Sequence, residues 1–149
     1  MKALVQRVSG ASVRVDGEEV SSIDRGFLVL LGVMNGDGMS DMGYIVRKVA
    51  NLRVFHDSEG RMNLSLKDIR GEALVVSQFT LAADTRKGNR PSFTDAMPPQ
   101  EAEAMYEDFM RGLRSEGISV KGGVFGADME VSLVNDGPVT IMLDSAQRR

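Results

Sequence analysis

The chain has no cysteine, no tryptophan and one histidine, His56. The lack of cysteine rules out disulfides, thiolate nucleophiles and cysteine-ligated zinc, and makes a cytoplasmic location the default. His56 is followed by Asp57-Ser58-Glu59-Gly60, which reads as a turn between two short strands. A lone imidazole with no carboxylate cluster at ligand spacing gives a metal site no support, so neither metal nor cofactor is expected. Long apolar runs are missing too. The longest, Phe27 to Leu31, is far too short to span a bilayer, so no membrane association is expected. Gln6 and Arg7 interrupt the apolar start, which therefore reads as a first strand and not as a secretion signal. Excess positive charge is also lacking: the net charge is -3. Proteins that follow a nucleic-acid backbone are usually basic, because their affinity comes largely from counterion release. Extended phosphate binding is thus not expected, whereas contact with the end of a nucleic acid needs only a local basic patch.

What is present points to an α+β fold. The 149 residues suit a single domain spanning 1–149, with no linker or repeat to divide it. Ser12 to Val15 alternates, and Asp16-Gly17 offers a two-residue hairpin turn before Glu18 to Ser22. Phe27 to Leu31, bounded by Gly26 and Gly32, predicts a strand buried on both faces. Ser40 is placed to cap a helix from about Asp41, with Met42, Ile45, Val46, Val49 and Leu52 on one stripe. Short strands are expected near Arg53–Phe55 and Met62–Leu66, and a strong one over Ala73–Leu81. Ala82 to Pro99 has no period, and loops of that length are often functional. The second helix is expected from Pro99 to Ser115, with helix-starting prolines before it and Gly117 to stop it. The remainder reads as two strands, Met129–Leu133 and Val139–Leu143, joined by a tight turn at Asn135-Asp136-Gly137-Pro138. Mostly antiparallel strands with two main helices make this class.

Two polar segments interrupt the scaffold. In Ser77-Gln78-Phe79-Thr80-Leu81, hydroxyls and an amide fall in a buried-looking strand, which is costly unless they are paired. Plain alternation, with Ser77, Phe79 and Leu81 on one face and Gln78 and Thr80 on the other, also explains it. The second segment is Asn135-Asp136-Gly137-Pro138-Val139-Thr140. Local physics favours an ordinary turn there, because a cis bond before proline is uncommon. Arg86, Lys87 and Arg90 in the long loop read either as solvated charge or as phosphate contacts beside the first segment.

These segments, together with Val5-Gln6-Arg7-Val8, Leu30-Leu31-Gly32-Val33, Gly60 to Ser65, Lys87 to Phe93 and Phe125 to Met129, resemble the D-aminoacyl-tRNA deacylase family. Their joint occurrence, in this order over nearly the whole chain, is what makes the resemblance specific. It implies a compact, barrel-like fold and a two-fold homodimer with the active site at the subunit interface. Ser77, Gln78, Phe79 and Thr80 of one subunit would line that site. Gly137 and Pro138, joined by a cis bond, would enter from the other. The resemblance implies hydrolysis of D-aminoacyl-tRNA at the 3′ end of tRNA, with mischarged glycyl-tRNA partly accepted. L-residues would be rejected by the rigid Gly137–Pro138 carbonyls. Phe125 and Met129 are candidates for the terminal adenosine pocket or are simply core.

The substrate that the resemblance implies is an activated ester, so positioning and donors aimed at the oxyanion are the main expected sources of rate. Backbone N–H groups near Phe79 and Thr80 are the candidates. Thr80 is the hydroxyl most readily proposed as nucleophile, but no histidine or lysine in its motif supplies a base. Attack by water, assisted by the ribose 2′-hydroxyl, is preferred. One rival is a non-catalytic module that binds the tRNA end. Another, a general serine or threonine esterase, lacks the G-x-S-x-G elbow.

Overall fold

The computed structural model describes residues 1–148. It opens with one long strand, β1 (Lys2–Val15), which turns at Asp16-Gly17 into β2 (Glu18–Ile23). Asp16 and Gly17 both have positive φ, 51° and 79°, as a two-residue hairpin turn of this kind requires. β3 (Gly26–Gly32) pairs antiparallel with the first half of β1 and parallel with β6 (Glu72–Ser77). β6 pairs parallel with β7 (Ser119–Gly122), and β8 (Glu130–Asp144) runs antiparallel along the whole of β1. Three of these pairings are antiparallel and two parallel, and the sheet curls into a nearly closed barrel. The Ser21 hydroxyl donates to the Gly122 carbonyl and Lys121 donates to the Ser22 carbonyl, drawing β2 towards β7. A small hairpin of β4 (Phe55–His56) and β5 (Met62–Leu64) lies apart from it, with His56 exposed just ahead of its turn.

Helix α1 (Met39–Asn51) and helix α2 (Pro99–Ser115) pack together over one side of the sheet. This arrangement explains the unbroken apolar run of β3. Phe27, Val29 and Leu31 face the helices along with Ala73 and Val75, while Leu28, Leu74 and Val76 fill the barrel with Val8, Ala11 and Val13. No helix among the described residues is long and apolar enough to cross a membrane.

The structure corrects three sequence expectations. Helix α1 starts at Met39, with Gly38 and not Ser40 in the capping position. The Asp41 carboxylate accepts from the Gly38 N–H at 2.9 Å, so the carboxylate three residues on does the capping. The expected strand over Ala73–Leu81 stops at Ser77, and Phe79–Ala82 form a single 3-10 turn. Gln78 donates to the Leu31 carbonyl, but β3 ends at Gly32, so the strand has nothing further to pair with.

The third correction concerns Asn135-Asp136-Gly137-Pro138, which is not a hairpin turn. Leu133 opposes Ala11 and Thr140 opposes Gln6, so the chain continues in one direction along β1. Asn135 opposes Val8, which leaves residues 136 to 139 opposite Arg7 alone. Such a bulge has a packing cause. Before it, Val131 and Leu133 pack on the barrel core; after it, Val139, Ile141 and Leu143 pack on the helix-covered core. A strand pair that serves two cores must lose register where it passes between them.

Candidate active site

The 3-10 turn leaves β6 at the rim of a cavity of about 610 Å³. That is enough for a nucleoside or an aminoacyl group and lies in the range of small-molecule sites. Ser77, Gln78 and Phe79 line it, and so do Phe125 and Met129 from the segment before β8. The sequence-predicted site residues thus converge from elements distant in the chain. Thr80 is exposed at the rim, outside the cavity wall, and its hydroxyl accepts a hydrogen bond from the Gln78 side-chain amide. A neutral amide takes no proton from a hydroxyl, so this contact orients Thr80 without activating it. The backbone N–H groups of Phe79 and Thr80 open the turn and meet no acceptor among the described residues. They are free donors beside a largely apolar cavity.

Other wall residues lacked a sequence signal. Phe79 meets Phe93 edge-on at 5.1 Å, which ties the turn to the long loop. Met97 and Pro98 bring the start of α2 to the wall. Tyr106 lies below them, its hydroxyl donating to the Val75 carbonyl at 2.7 Å and accepting from the Gly123 N–H at 3.2 Å. Burial pushes its phenol above the usual pKa, so Tyr106 acts as a neutral strut. Its ring lies 6.0 Å from that of Phe125. Gly122 is required here, because a Cβ on it would come within 2.7 Å of the Tyr106 oxygen. In the sequence Tyr106 falls on an apolar helical stripe with Phe109, Met110 and Leu113 and reads as core, and only the fold shows that it also faces the cavity.

Gly137 and Pro138 are joined by a cis peptide bond and are exposed at the bulge, away from this cavity's wall. Arg7 supports them. Its side chain is buried among carbonyls, with Nε donating to Asp136 at 2.7 Å and Nη1 to Val54 at 2.5 Å. Asn135 holds the far side, donating to the Val139 carbonyl and accepting from the Val139 N–H at 2.8 Å. Arg7 is opposite Phe27 on β3, whereas Ser77 is opposite Leu31. Four strand steps separate these levels, roughly 13 Å. Within one chain the two predicted segments are therefore not brought together.

The loop cations are exposed, but Arg86 is held by Asp84 through bonds of 2.7 and 2.9 Å. That pairing lowers the Asp84 carboxyl to about 2. Lys87 and Arg90 form no ion pair among the described residues. Neither lines the cavity.

Comparison with known proteins bears directly on this arrangement. Residues 4–144 match the family model described as D-Tyr-tRNA(Tyr) deacylase. A D-aminoacyl-tRNA deacylase of Magnetococcus marinus is 61% identical over 145 residues, covering 97% of this chain and 96% of the relative. One from Thermodesulfovibrio yellowstonii is 56% identical, covering 97% and 99%. Among solved structures, a c-Myc DNA Unwinding Element Binding Protein superposes with a TM-score of 0.91 at 48% identity, covering 97% of this chain and 98% of that one. Near-complete coverage in both directions, at identities this high, leaves no room for a shared fold alone: the chain belongs to the D-aminoacyl-tRNA deacylase family.

Proposed function

We propose that the chain is a D-aminoacyl-tRNA deacylase, a hydrolase that cleaves the ester between a D-amino acid and the terminal ribose of tRNA. The observation that carries this is its full-length kinship with deacylases. The cavity walled by Ser77, Gln78 and Phe79 gives the reaction a place. The substrate amino acid and terminal adenosine are assigned to it, with Phe125 and Met129 as apolar wall.

In the mechanism we favour, water adds to the ester carbonyl and the developing oxyanion faces the free N–H groups of Phe79 and Thr80. The ester C–O bond then breaks, and the released ribose oxygen takes a proton relayed from the water by the neighbouring ribose hydroxyl. Each well-placed oxyanion donor is worth about 10²–10³ in rate. Thr80 orients the turn and forms no covalent intermediate, since its hydroxyl meets an amide and not a base.

The enzyme is further proposed to be a cytoplasmic homodimer of single-domain subunits in which Gly137 and Pro138 of one subunit complete the site of the other. The separation of the two segments within a chain supports this, as does the outer edge of β8, which pairs with no strand among the described residues. That strand carries Val134 and Met142, 63% and 50% exposed, on its outer face. The carbonyls of Gly137 and Pro138 would then meet the substrate amino group and exclude an L-side chain, while glycine would pass in part. Lys87 and Arg90, with Arg86 in its pairing to Asp84, stand as candidates for phosphate contact.

Purified protein should release D-tyrosine from D-tyrosyl-tRNA and leave L-tyrosyl-tRNA largely intact. Equal rates on the two would defeat the chirality assignment, and binding of both without turnover would leave a tRNA-end-binding module.

A further inference from the structure

A second concavity, of about 430 Å³, lies beside the C-terminal half of α1 and is separate from the proposed active site. Tyr44, Arg47, Lys48, Asn51, Leu52 and Arg53 line it, and among the described residues no carboxylate does. In a chain of net charge -3 that is an unusual composition. Six cations elsewhere, Arg61, Lys67, Arg86, Arg111, Lys121 and Arg148, each meet a carboxylate. Arg47 and Lys48 are exposed and belong to no ion pair among the described residues. Arg53 donates to Asn63, to its carbonyl at 3.0 Å and to its side-chain oxygen. Tyr44 backs the cluster, its ring centroid 5.6 Å from the Lys48 ammonium and 5.9 Å from the Arg148 guanidinium.

The position of this surface gives it a meaning. Arg53 precedes Val54, whose carbonyl shares the Arg7 guanidinium with the Asp136 carbonyl next to Gly137. The two carbonyls therefore lie within about 7 Å of each other, the span of one guanidinium fork and its two hydrogen bonds. Arg53, on the wall of the basic concavity, is thus one residue along the chain from a carbonyl that shares the Arg7 guanidinium with the loop that, on the reading above, completes the active site of the opposite subunit.

We propose that Arg47, Lys48 and Arg53 bind backbone phosphates of the tRNA whose 3′ end occupies the partner subunit's site. The subunit that supplies Gly137 and Pro138 also grips the RNA body. This rests on the deacylase reading and adds a second anchor to it. The ligand chemistry is that of successive phosphodiesters: two exposed cations with no ion pair among the described residues, a third held in place, and no carboxylate among the described residues of the lining.

The test compares wild type with an Arg47→Ala/Lys48→Ala variant on two substrates, D-tyrosyl-tRNA and the D-tyrosyl ester of adenosine. The double variant should raise KM for D-tyrosyl-tRNA about tenfold at 0.1 M salt with kcat unchanged, and should hydrolyse the adenosine ester like wild type. For uncharged tRNA, the slope of log Kd against log salt should shrink by roughly two, one per lost phosphate contact. An Arg47→Lys variant should recover most of its share of the slope. Unchanged KM and slope would overturn the proposal, leaving these cations to complement the carbonyl end of α1. Equal losses on both substrates would overturn it as well. If wild type hydrolyses neither ester, the deacylase reading fails instead, and the salt slope still decides whether this surface binds RNA.

Discussion

On the proposed mechanism, Thr80 and Arg7 serve the site without reacting in it. The Thr80 hydroxyl accepts from the Gln78 amide and has no base beside it. A Thr80→Val variant should therefore keep kcat for D-tyrosyl-tRNA within about tenfold of wild type, a loss that fits one removed hydrogen bond. A fall of a thousandfold or more with unchanged substrate binding would reinstate Thr80 as nucleophile; a single-turnover assay reads both. Arg7 is a positioning residue for Gly137 and Pro138, and its buried fork serves two carbonyls. Arg7→Met keeps most of the packing but leaves those acceptors unpaired, at about 1–3 kcal/mol. The expected result is a Tm lower by several degrees together with a preference for D- over L-tyrosyl-tRNA reduced at least tenfold. The second effect separates positioning from mere stability, because a lower Tm alone does not change the ratio of two rates on one folded enzyme.

Elements whose boundaries depend on neighbouring residues were legible in the sequence, and those set by distant partners were not. Asp16-Gly17 makes its hairpin with positive φ at both positions. Helix α2 runs from Pro99 to Ser115 as its prolines and Gly117 indicate. By contrast, β6 stops at Ser77 because β3 stops at Gly32, and nothing local to Gln78-Phe79-Thr80 reports that. The bulge at 136–139 is set by a register with β1 more than a hundred residues away. The site followed the same rule. The polar residues of the candidate site stood out against an apolar strand, but that Tyr106 and Phe93 wall the same cavity became visible only once the fold was known.

The start of α1 shows a local signal misassigned, and it carries a pH prediction. The Gly38 N–H, the Arg148 guanidinium and the Ser145 hydroxyl hold the Asp41 carboxyl well below the usual carboxylate range. Unfolded, the group titrates near about 3.9, so below neutral pH the unfolded chain takes up its proton first. Its stabilisation is full above about pH 5 and is lost as the pH falls through 4 towards the depressed folded value. Asp41→Asn should cost about 1–3 kcal/mol at pH 7, and its difference from wild type should shrink as the pH falls through 4 towards the depressed folded value, giving a flatter acid limb in urea unfolding.

At the scale of the whole molecule, the two segments proposed to form the site lie at different levels of one chain. The cavity lies at the Ser77 end of the sheet, and Gly137–Pro138 lie at the Arg7 level roughly 13 Å away along the strands. If a second copy completes each cavity, two variants disabled in opposite segments must rescue each other. Ala127→Trp would fill the cavity it lines. Gly137→Ala would place a Cβ 2.9 Å from the Val139 nitrogen and 3.1 Å from Arg7, on a backbone of φ 152°. Each variant alone should have little activity. After co-refolding at equal concentrations, half of the dimers should be mixed, and each mixed dimer holds one intact site out of two. Activity on D-tyrosyl-tRNA should then return to about a quarter of wild type, as symmetric pairing of two identical composite sites requires. No recovery, with mixed dimers demonstrated by mass, would mean that each chain builds its site alone.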